Sequence, residues 1–183
     1  VFSPDGKQLA GISAANRIQL WDMAARNLIG QEMTGHTQTV NDIEFSPDGK
    51  LFASTSPDGF VRLWRSATGQ TAGQVRPLSR AQAVAFNADG SQMLTAYCTL
   101  MGLNYCRGIG FQWWDTSTSK AAGSPMAIDT ERSENLAFSA DARTLIFNEC
   151  TRLEGTRCLS SEIGVWDMET QTQIHRLVET HTN

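Results

Sequence analysis

The four cysteines of this 183-residue chain are the residues whose spacing most directly suggests chemistry. They form two pairs, and seven residues separate the members of each pair. Cysteine sulfur can close a disulfide, ligate zinc or act in redox exchange. The short Cys-x2-Cys spacing typical of zinc sites is absent. Three interpretations stay open for these residues, namely disulfides, reduced buried thiols, or a Cys-based metal-binding or redox-switch module: Cys98, Cys106, Cys150 and Cys158.

A second group of residues has the side-chain types of a Ser-His-Asp hydrolase. His36 is followed by Ser54 and Ser56, and Asp58 comes two residues later. A working triad would need an exposed serine beside an oxyanion hole. The other two histidines have no Cys or His neighbours at ligand spacing, and there is no glycine-rich phosphate loop or EF-hand pattern. Apart from the cysteine alternative given above, we therefore predict no catalytic residue, no metal ligand and no cofactor.

The strands that must position these residues belong to a sequence unit that occurs four times along the chain. Each copy has alternating apolar runs on either side of a turn, which predicts strand, turn and strand. The turns begin at Phe2, Phe45, Phe86 and Phe138. The copies end in tryptophans at spacings of 43, 50 and 52 residues: Trp21, Trp64, Trp114 and Trp166. Units of this size are typical of four-stranded propeller blades.

The second copy carries the most complete version of the unit. Gly35-His36 opens it, Phe45-Ser-Pro-Asp-Gly49 makes its first turn, and Phe60-Val-Arg-Leu-Trp64 forms its third strand. This pattern resembles the WD-repeat (WD40) β-propeller family, and the resemblance covers essentially the whole chain. It implies an all-β fold with four blades of four antiparallel strands in this chain. These blades would belong to a seven- or eight-bladed or longer array.

The repeat landmarks also predict where each blade lies. We expect a single β-propeller segment over residues 1–183, with blades at about 1–34, 35–77, 78–129 and 130–180, and the start of a next repeat at 181–183. Val1 aligns with Glu44, so the first blade lacks most of its innermost strand. We expect the natural protein to continue in both directions. The alternative is a homodimer that completes an eight-bladed ring.

The resemblance also implies a role for the set of residues around His36. In the family, a His, a Ser or Thr, an Asp and the Trp form a structural tetrad of hydrogen bonds inside one blade. The matching residues in the second copy are His36, Ser54 or Ser56, Asp58 and Trp64. Such a set would be buried, so the hydrolase interpretation is the least favoured. The other copies lack the complete set, and we expect packing to replace it, in the third copy through Phe111 and Trp113.

The third and fourth copies are nine residues longer than the first two, and the cysteines flank this insertion. The insertion falls in the hairpin that joins the second and third strands. Cross-strand neighbours lie about 4.5–5.5 Å apart at Cα, which a disulfide tolerates. Closing a nine-residue ring would stabilise the fold by about 2.5 kcal/mol. We expect Cys98 to pair with Cys106, and Cys150 with Cys158, if the compartment is oxidising.

The inserted hairpins are also the predicted working surface. In the family they emerge on one face of the ring, and long loops on a rigid scaffold often carry function. Their aromatic, Met, Leu and Arg side chains are types found at protein interfaces. The predicted partner-binding residues are Leu100, Met101, Leu103, Tyr105, Arg152, Glu154 and Arg157. The alternative is that the leucines and the tyrosine pack within their own loop.

The balance of charged residues limits the kinds of partner that we expect the chain to bind. Fifteen basic and nineteen acidic residues give a net charge of −4. Binding to nucleic acid or to an anionic membrane would require an excess of basic residues, which this chain lacks. We expect a non-enzymatic protein-interaction scaffold or sensor propeller with a protein partner, no nucleic acid and no membrane. The repeats resemble bacterial WD-repeat arrays attached to signalling proteins. We expect a cytoplasmic location, or an extracytoplasmic one if the cysteines are disulfide-bonded.

Overall fold

The computed structural model describes residues 1–101, 106–130, 133–139, 141–154, 157–170 and 172–178. This part of the chain forms fifteen strands and one short 3-10 turn at Ala14–Asn16, and it contains no α-helix. All strand pairs between named strands are antiparallel. The all-β prediction is therefore confirmed. Within the same residues, no helix is long and apolar enough to cross a membrane.

The first half of the chain forms two separate sheets. The first sheet contains β1 (Gln8–Ser13), β2 (Arg17–Asp22) and β3 (Asn27–Leu28). A bridge between Phe2 and Leu9 places the start of the chain beside β1. The second sheet contains β4 (Asp42–Phe45), β5 (Leu51–Thr55), β6 (Val61–Arg65) and β7 (Thr71–Val75) in that order.

The second half forms two four-stranded groups. The third group contains β8 (Ala81–Phe86), β9 (Gln92–Met101), β10 (Cys106–Asp115) and β11 (Ala121–Ile128). The fourth group contains β12 (Ser133–Phe138), β13 (Thr144–Glu154), β14 (Arg157–Asp167) and β15 (Thr172–Val178). One pair, Cys106 with Ser133, joins the two groups into a continuous eight-stranded sheet.

The Asp-Gly turns explain how the first two strands of a unit are joined. In the second sheet, Asp48 Oδ1 accepts hydrogen bonds from Ser46 Oγ at 2.8 Å and from the Lys50 amide at 3.0 Å. Gly49 adopts a φ of +69°, which glycine reaches without a steric penalty. These carboxylates therefore perform the local turn chemistry that their sequence context predicts.

Three apolar layers hold neighbouring groups of strands together. Between the first and second sheets lie Ile18, Leu20, Phe45, Phe52 and Trp64. Between the second sheet and the third group lie Val61, Leu63, Val84, Phe86 and Met93. Between the third and fourth groups lie Leu94, Ile109, Phe111, Leu145 and Phe147. Sheets that pack face to face in sequence order are consistent with a WD-repeat β-propeller. The number of blades stays a prediction.

Strand register assigns the connections to two opposite ends of the sheets. Val75 lies opposite Val61, and Ala81 lies opposite Tyr97, so connection 76–80 lies at the same end as turn 56–60 and the β9–β10 hairpin. We call this end the cysteine face; it carries residues 14–17, 35–41, 56–62, 76–80, 98–101, 106–108, 129–130, 150–154 and 157–160. The opposite end carries the Asp-Gly turns and is called the turn face.

Candidate functional site

A buried network in the second sheet joins the predicted tetrad residues. Nδ1 of His36 lies 2.8 Å from Asp58 Oδ2, and Nε2 of His36 lies 2.9 Å from Ser54 Oγ. The indole N–H of Trp64 donates to the same Ser54 oxygen at 2.9 Å. These contacts assign the Nδ1 proton to His36, so that Nδ1 donates to Asp58 and the Ser54 hydroxyl donates to Nε2.

The structure also distinguishes between the two candidate serines. Ser56 Oγ donates to the backbone carbonyl of Gln38 at 3.1 Å, and among the described residues it makes no hydrogen bond with His36 or Trp64. Ser54 and Ser56 are two residues apart, so both project from the same side of the chain. Only Ser54, which lies on β5 with β6 beside it, reaches the indole of Trp64.

Burial and hydrogen bonding have opposite effects on the pKa values of His36 and Asp58. Burial lowers the pKa of His36, which outweighs the raising effect of its hydrogen bond to Asp58. Burial opposes ionisation of Asp58, but hydrogen bonds from His36 and from the Phe60 and Thr37 amides hold its pKa below the usual value. The histidine is therefore neutral and the aspartate ionised near pH 7.

This arrangement leaves the serine without the access that nucleophilic chemistry needs. Ser54 is fully buried, and its oxygen contacts both the imidazole and the indole. A nucleophile must have an approach for substrate and an adjacent oxyanion site. The geometry of His36, Ser54 and Asp58 is that of a structural network inside a sheet.

The third group keeps part of the same network, a contact that was not predicted from the sequence. The indole N–H of Trp114 donates to Thr95 Oγ1 at 2.9 Å, and Thr95 is fully buried. Thr95 follows Ser54 by the same 41 residues that separate Phe86 from Phe45, so the alignment of copies could have identified it. Packing also contributes: Phe111 is buried and its ring lies 6.4 Å from that of Phe138. Trp113 packs partly buried against the same core.

The cysteines lie at the necks of two long hairpins. A disulfide joins Cys150 and Cys158, whose Cα atoms are 5.8 Å apart. They are not directly opposite, because the register shifts near Cys150 so that Cys158 lies across from Leu153. Cys98 is buried and disulfide-bonded. The side chain of Cys106 falls outside the described part of the chain, so its predicted pairing with Cys98 stays a prediction.

The nine-residue insertions lengthen the paired strands and not the connections between them. β9 and β13 contain 10 and 11 residues, whereas β5 contains 5. β13 and β14 remain paired as far as Glu154 and Arg157, which lie opposite each other. The extra residues therefore build ribbons that continue the sheets on the cysteine face. Backbone pairing gives these ribbons more internal hydrogen bonds than an open loop would have.

The predicted partner-binding residues are distributed along these ribbons. Leu100 is 67% exposed and lies opposite Arg107 on the neighbouring strand. Met101 is paired with Cys106 through the backbone, and Arg152 lies opposite Ser160. The side chains of Met101, Arg152, Glu154 and Arg157, and all of Leu103 and Tyr105, fall outside the described residues.

A basic and aromatic cluster on the same face was not predicted from the sequence. The guanidinium carbon of Arg62 lies 5.3 Å from the centroid of the Phe60 ring, and that of Arg76 lies 5.6 Å from it. Arg62 also donates to Gln74 Oε1 at 2.6 Å and to the Gly35 carbonyl at 2.9 Å. These contacts are within the range of cation–π attraction.

Comparison with known proteins identifies one unit of the chain. The family model described as "WD domain, G-beta repeat" matches residues 28–65. This segment begins in β3 and ends with β6, so it contains all four residues of the His36 network. A search of curated proteins found no match to the chain.

Proposed function

We propose that this WD-repeat chain is a non-enzymatic interaction platform that recognises a protein through its cysteine face. WD40 repeats generally mediate protein–protein interaction, which gives the general class. The observation that carries the proposal is the pair of extended ribbons, β9–β10 and β13–β14, that continue the sheets on one face. An apolar side chain at the end of the first ribbon, Leu100, is 67% exposed.

The ribbons suit recognition because little of their backbone has to become ordered on binding. Ordering a flexible segment costs binding free energy, so a preformed surface binds more tightly for the same contacts. Strand pairing fixes the backbone of both ribbons, and the Cys150–Cys158 disulfide closes the neck of the second. Buried side chains such as Ile109 and Phe147 anchor the same strands in the core.

In the finer proposal, the platform is the part of a larger bacterial signalling protein that recognises the partner. The support for this step is the resemblance of the repeats to bacterial arrays of that kind. The disulfides favour an oxidising, extracytoplasmic compartment over the reducing cytosol. Opposite Leu100, the basic residue Arg107 gives the ribbon a mixed apolar and charged surface of the type used at interfaces.

A second candidate function is a redox switch built on the same ribbons. The observation that favours it is the Cys150–Cys158 disulfide at the neck of the β13–β14 ribbon. Reduction would release the neck of the ribbon and change the surface that a partner meets. Sulfurs held in a disulfide are not thiolates, so zinc binding by these two cysteines would require the reduced state.

The test of the interaction proposal is site-specific photocrosslinking from the ribbon. Leu100 is replaced by a photoreactive phenylalanine analogue, and Leu28, 41% exposed on the first sheet, is replaced in a matched control. We expect crosslinking to one protein in extracts of the source cells from position 100 and none from position 28. The crosslinked protein is then purified and titrated against the chain. Equal crosslinking from both positions, or none from position 100, would contradict the proposal.

A further inference from the structure

We infer that the partner segment bound by the cysteine face is acidic and carries apolar side chains. This inference rests on the proposed function, because it names the chemistry of the partner at the same face. Four arginines and two exposed leucines carry it: Arg62, Arg76, Arg80, Arg107, Leu78 and Leu100. The segment would place carboxylates on the arginines and apolar side chains on the leucines.

Ion pairs engage only some of the cations at each end of the sheets; at the cysteine-face end, Arg17 pairs with Glu32 at 2.6 Å. On the turn face, Lys7 and Lys50 lie 3.4 and 2.9 Å from the carboxylates of Asp5 and Asp48. Arg143 lies 3.7 Å from Glu169 on that face. Among the residues that the structure describes, the other four arginines of the cysteine face have no carboxylate within ion-pair distance. Their positive charge is therefore available to an anionic partner.

Two of these arginines converge on one aromatic ring. Arg62 and Arg76 lie 5.3 and 5.6 Å from the Phe60 centroid, so two like charges share one neighbour. A carboxylate bound at this ring would be attracted to both positive charges. The Nε atom of Arg62 is buried without a hydrogen-bond partner. The Phe60 ring supplies an apolar surface next to the charges.

Two exposed leucines lie on the cysteine face with these arginines. Leu78 is 78% exposed and lies between Arg76 and Arg80 in the connection from β7 to β8. Leu100, at 67%, is the second most exposed of the large apolar residues described. The Arg80 carbonyl accepts a hydrogen bond from the Cys98 amide at 3.4 Å, which brings this connection to the base of the β9–β10 ribbon. Apolar and basic groups therefore alternate along one surface.

Among the side chains of this face that the structure describes, the carboxylates leave that positive surface largely uncompensated. Asp58 is engaged by His36, by the Thr37 amide at 3.0 Å and by the Phe60 amide at 3.0 Å. Asp129 lies exposed in the connection that follows β11, beyond ion-pair distance of any described arginine. The net charge of the whole chain is −4, which opposes the approach of long polyanions such as nucleic acid. A short acidic peptide segment therefore fits this surface better.

A selection experiment on the whole chain tests the inference. A phage library of random peptides of about twelve residues is selected against the protein. We expect the enriched peptides to have net negative charge and at least one large apolar residue. An enriched peptide is then synthesised and titrated by fluorescence anisotropy, at about 0.05 M and about 0.5 M salt. We expect weaker binding at the higher salt, because the Debye length becomes shorter.

Matched variants connect the binding to the named residues. Replacing both Arg76 and Arg80 by alanine should weaken binding about fivefold, since exposed ion pairs each contribute modestly. The Leu78→Ser variant should also weaken binding. The control is Lys7→Ala with Lys50→Ala, which removes two cations from the turn face and should leave the affinity unchanged. Circular dichroism and unfolding midpoints establish that each variant is folded.

The outcomes separate this inference from the proposed function. Enrichment of neutral or basic peptides whose binding depends on Leu100 would overturn the acidic partner and leave the interaction function standing. Enriched acidic peptides that bind the arginine double variant as tightly as the unchanged protein would also overturn the inference. Tighter binding of a thymidine oligonucleotide than of any selected peptide would do the same. Failure to enrich any peptide would count against both proposals.

Discussion

Oγ of Ser54 lies 2.9 Å from Nε2 of His36, and the indole N–H of Trp64 donates to the same oxygen. The serine therefore connects β5 to β6 and to the segment that precedes β4. Because this oxygen is buried, each partner would lose its hydrogen bond without gaining water if the hydroxyl were removed. The contact holds the second sheet together.

Substitution of Ser54 by alanine should lower the free energy of unfolding by about 3 kcal/mol. The Trp64 N–H loses its acceptor and His36 loses its donor, and both groups stay buried. Urea unfolding monitored by tryptophan fluorescence measures the change. Ser54→Thr is the matched control, because Thr95 accepts from Trp114 in the corresponding position. Equal stability of the alanine and threonine variants would contradict this assignment.

Glu44 should make the stability depend on pH. Burial, with a smaller effect from the nearby Asp42 carboxylate, raises its pKa from 4.5 to about 7. Between these values the folded protein binds a proton that the unfolded chain releases. Its favourable contribution is therefore complete below pH 4.5 and is lost as the pH rises through 7.

The Glu44→Gln variant tests this dependence. It should be more stable than the unchanged protein at pH 8, by about 1 kcal/mol, because the carboxylate is only partly buried and water screens it. At pH 4.5 this advantage should be absent. The measurement is the urea midpoint of both proteins at several pH values. A difference that stays constant from pH 4.5 to pH 8 would show that Glu44 does not titrate as described.

Asp42 should contribute to the attachment of the second sheet to the third group. Its Oδ2 atom accepts a hydrogen bond from the backbone amide of Val84 on β8 at 3.1 Å. Replacement by alanine leaves that amide without its acceptor and should cost about 1–3 kcal/mol. Asp42→Asn keeps an acceptor oxygen and should cost less. Hydrogen exchange at the Val84 amide, compared between the two variants, reports on this contact directly.

Reduction of the Cys150–Cys158 disulfide should lower the free energy of unfolding by about 2.5 kcal/mol. A cross-link restricts the unfolded chain, and the effect follows from the size of the ring that it closes. Urea unfolding with and without a reductant measures the loss. The control is the double variant Cys150→Ser with Cys158→Ser, in which the remaining effect of the reductant on stability comes from the disulfide of Cys98. The loss of stability in the unchanged protein minus the loss in this variant is the contribution of the Cys150–Cys158 bond. An identical response in both proteins would contradict the prediction.

Local pattern was sufficient to predict much of the fold and part of the site. Alternating apolar residues and Asp-Gly turns act over a few neighbours, so they predicted strands such as β5 and turns such as Ser46–Gly49. The matching of Trp64 with His36 and Asp58 came from the repeat resemblance. The alignment of copies also contained Thr95, but its contact with Trp114 was not recognised, because the third copy lacks the matching histidine and aspartate.

The sequence by itself determined the order of strands, the spacing of the units and the residue types available to the network in the second sheet. These features depend on neighbours along the chain. Only the tertiary structure decided that Ser54 and not Ser56 meets Trp64, since alternation places both serines on one side. It also decided that Arg62 and Arg76 both lie against the Phe60 ring. These contacts depend on distances across paired strands, and the apolar layers that pack the sheets determine those distances.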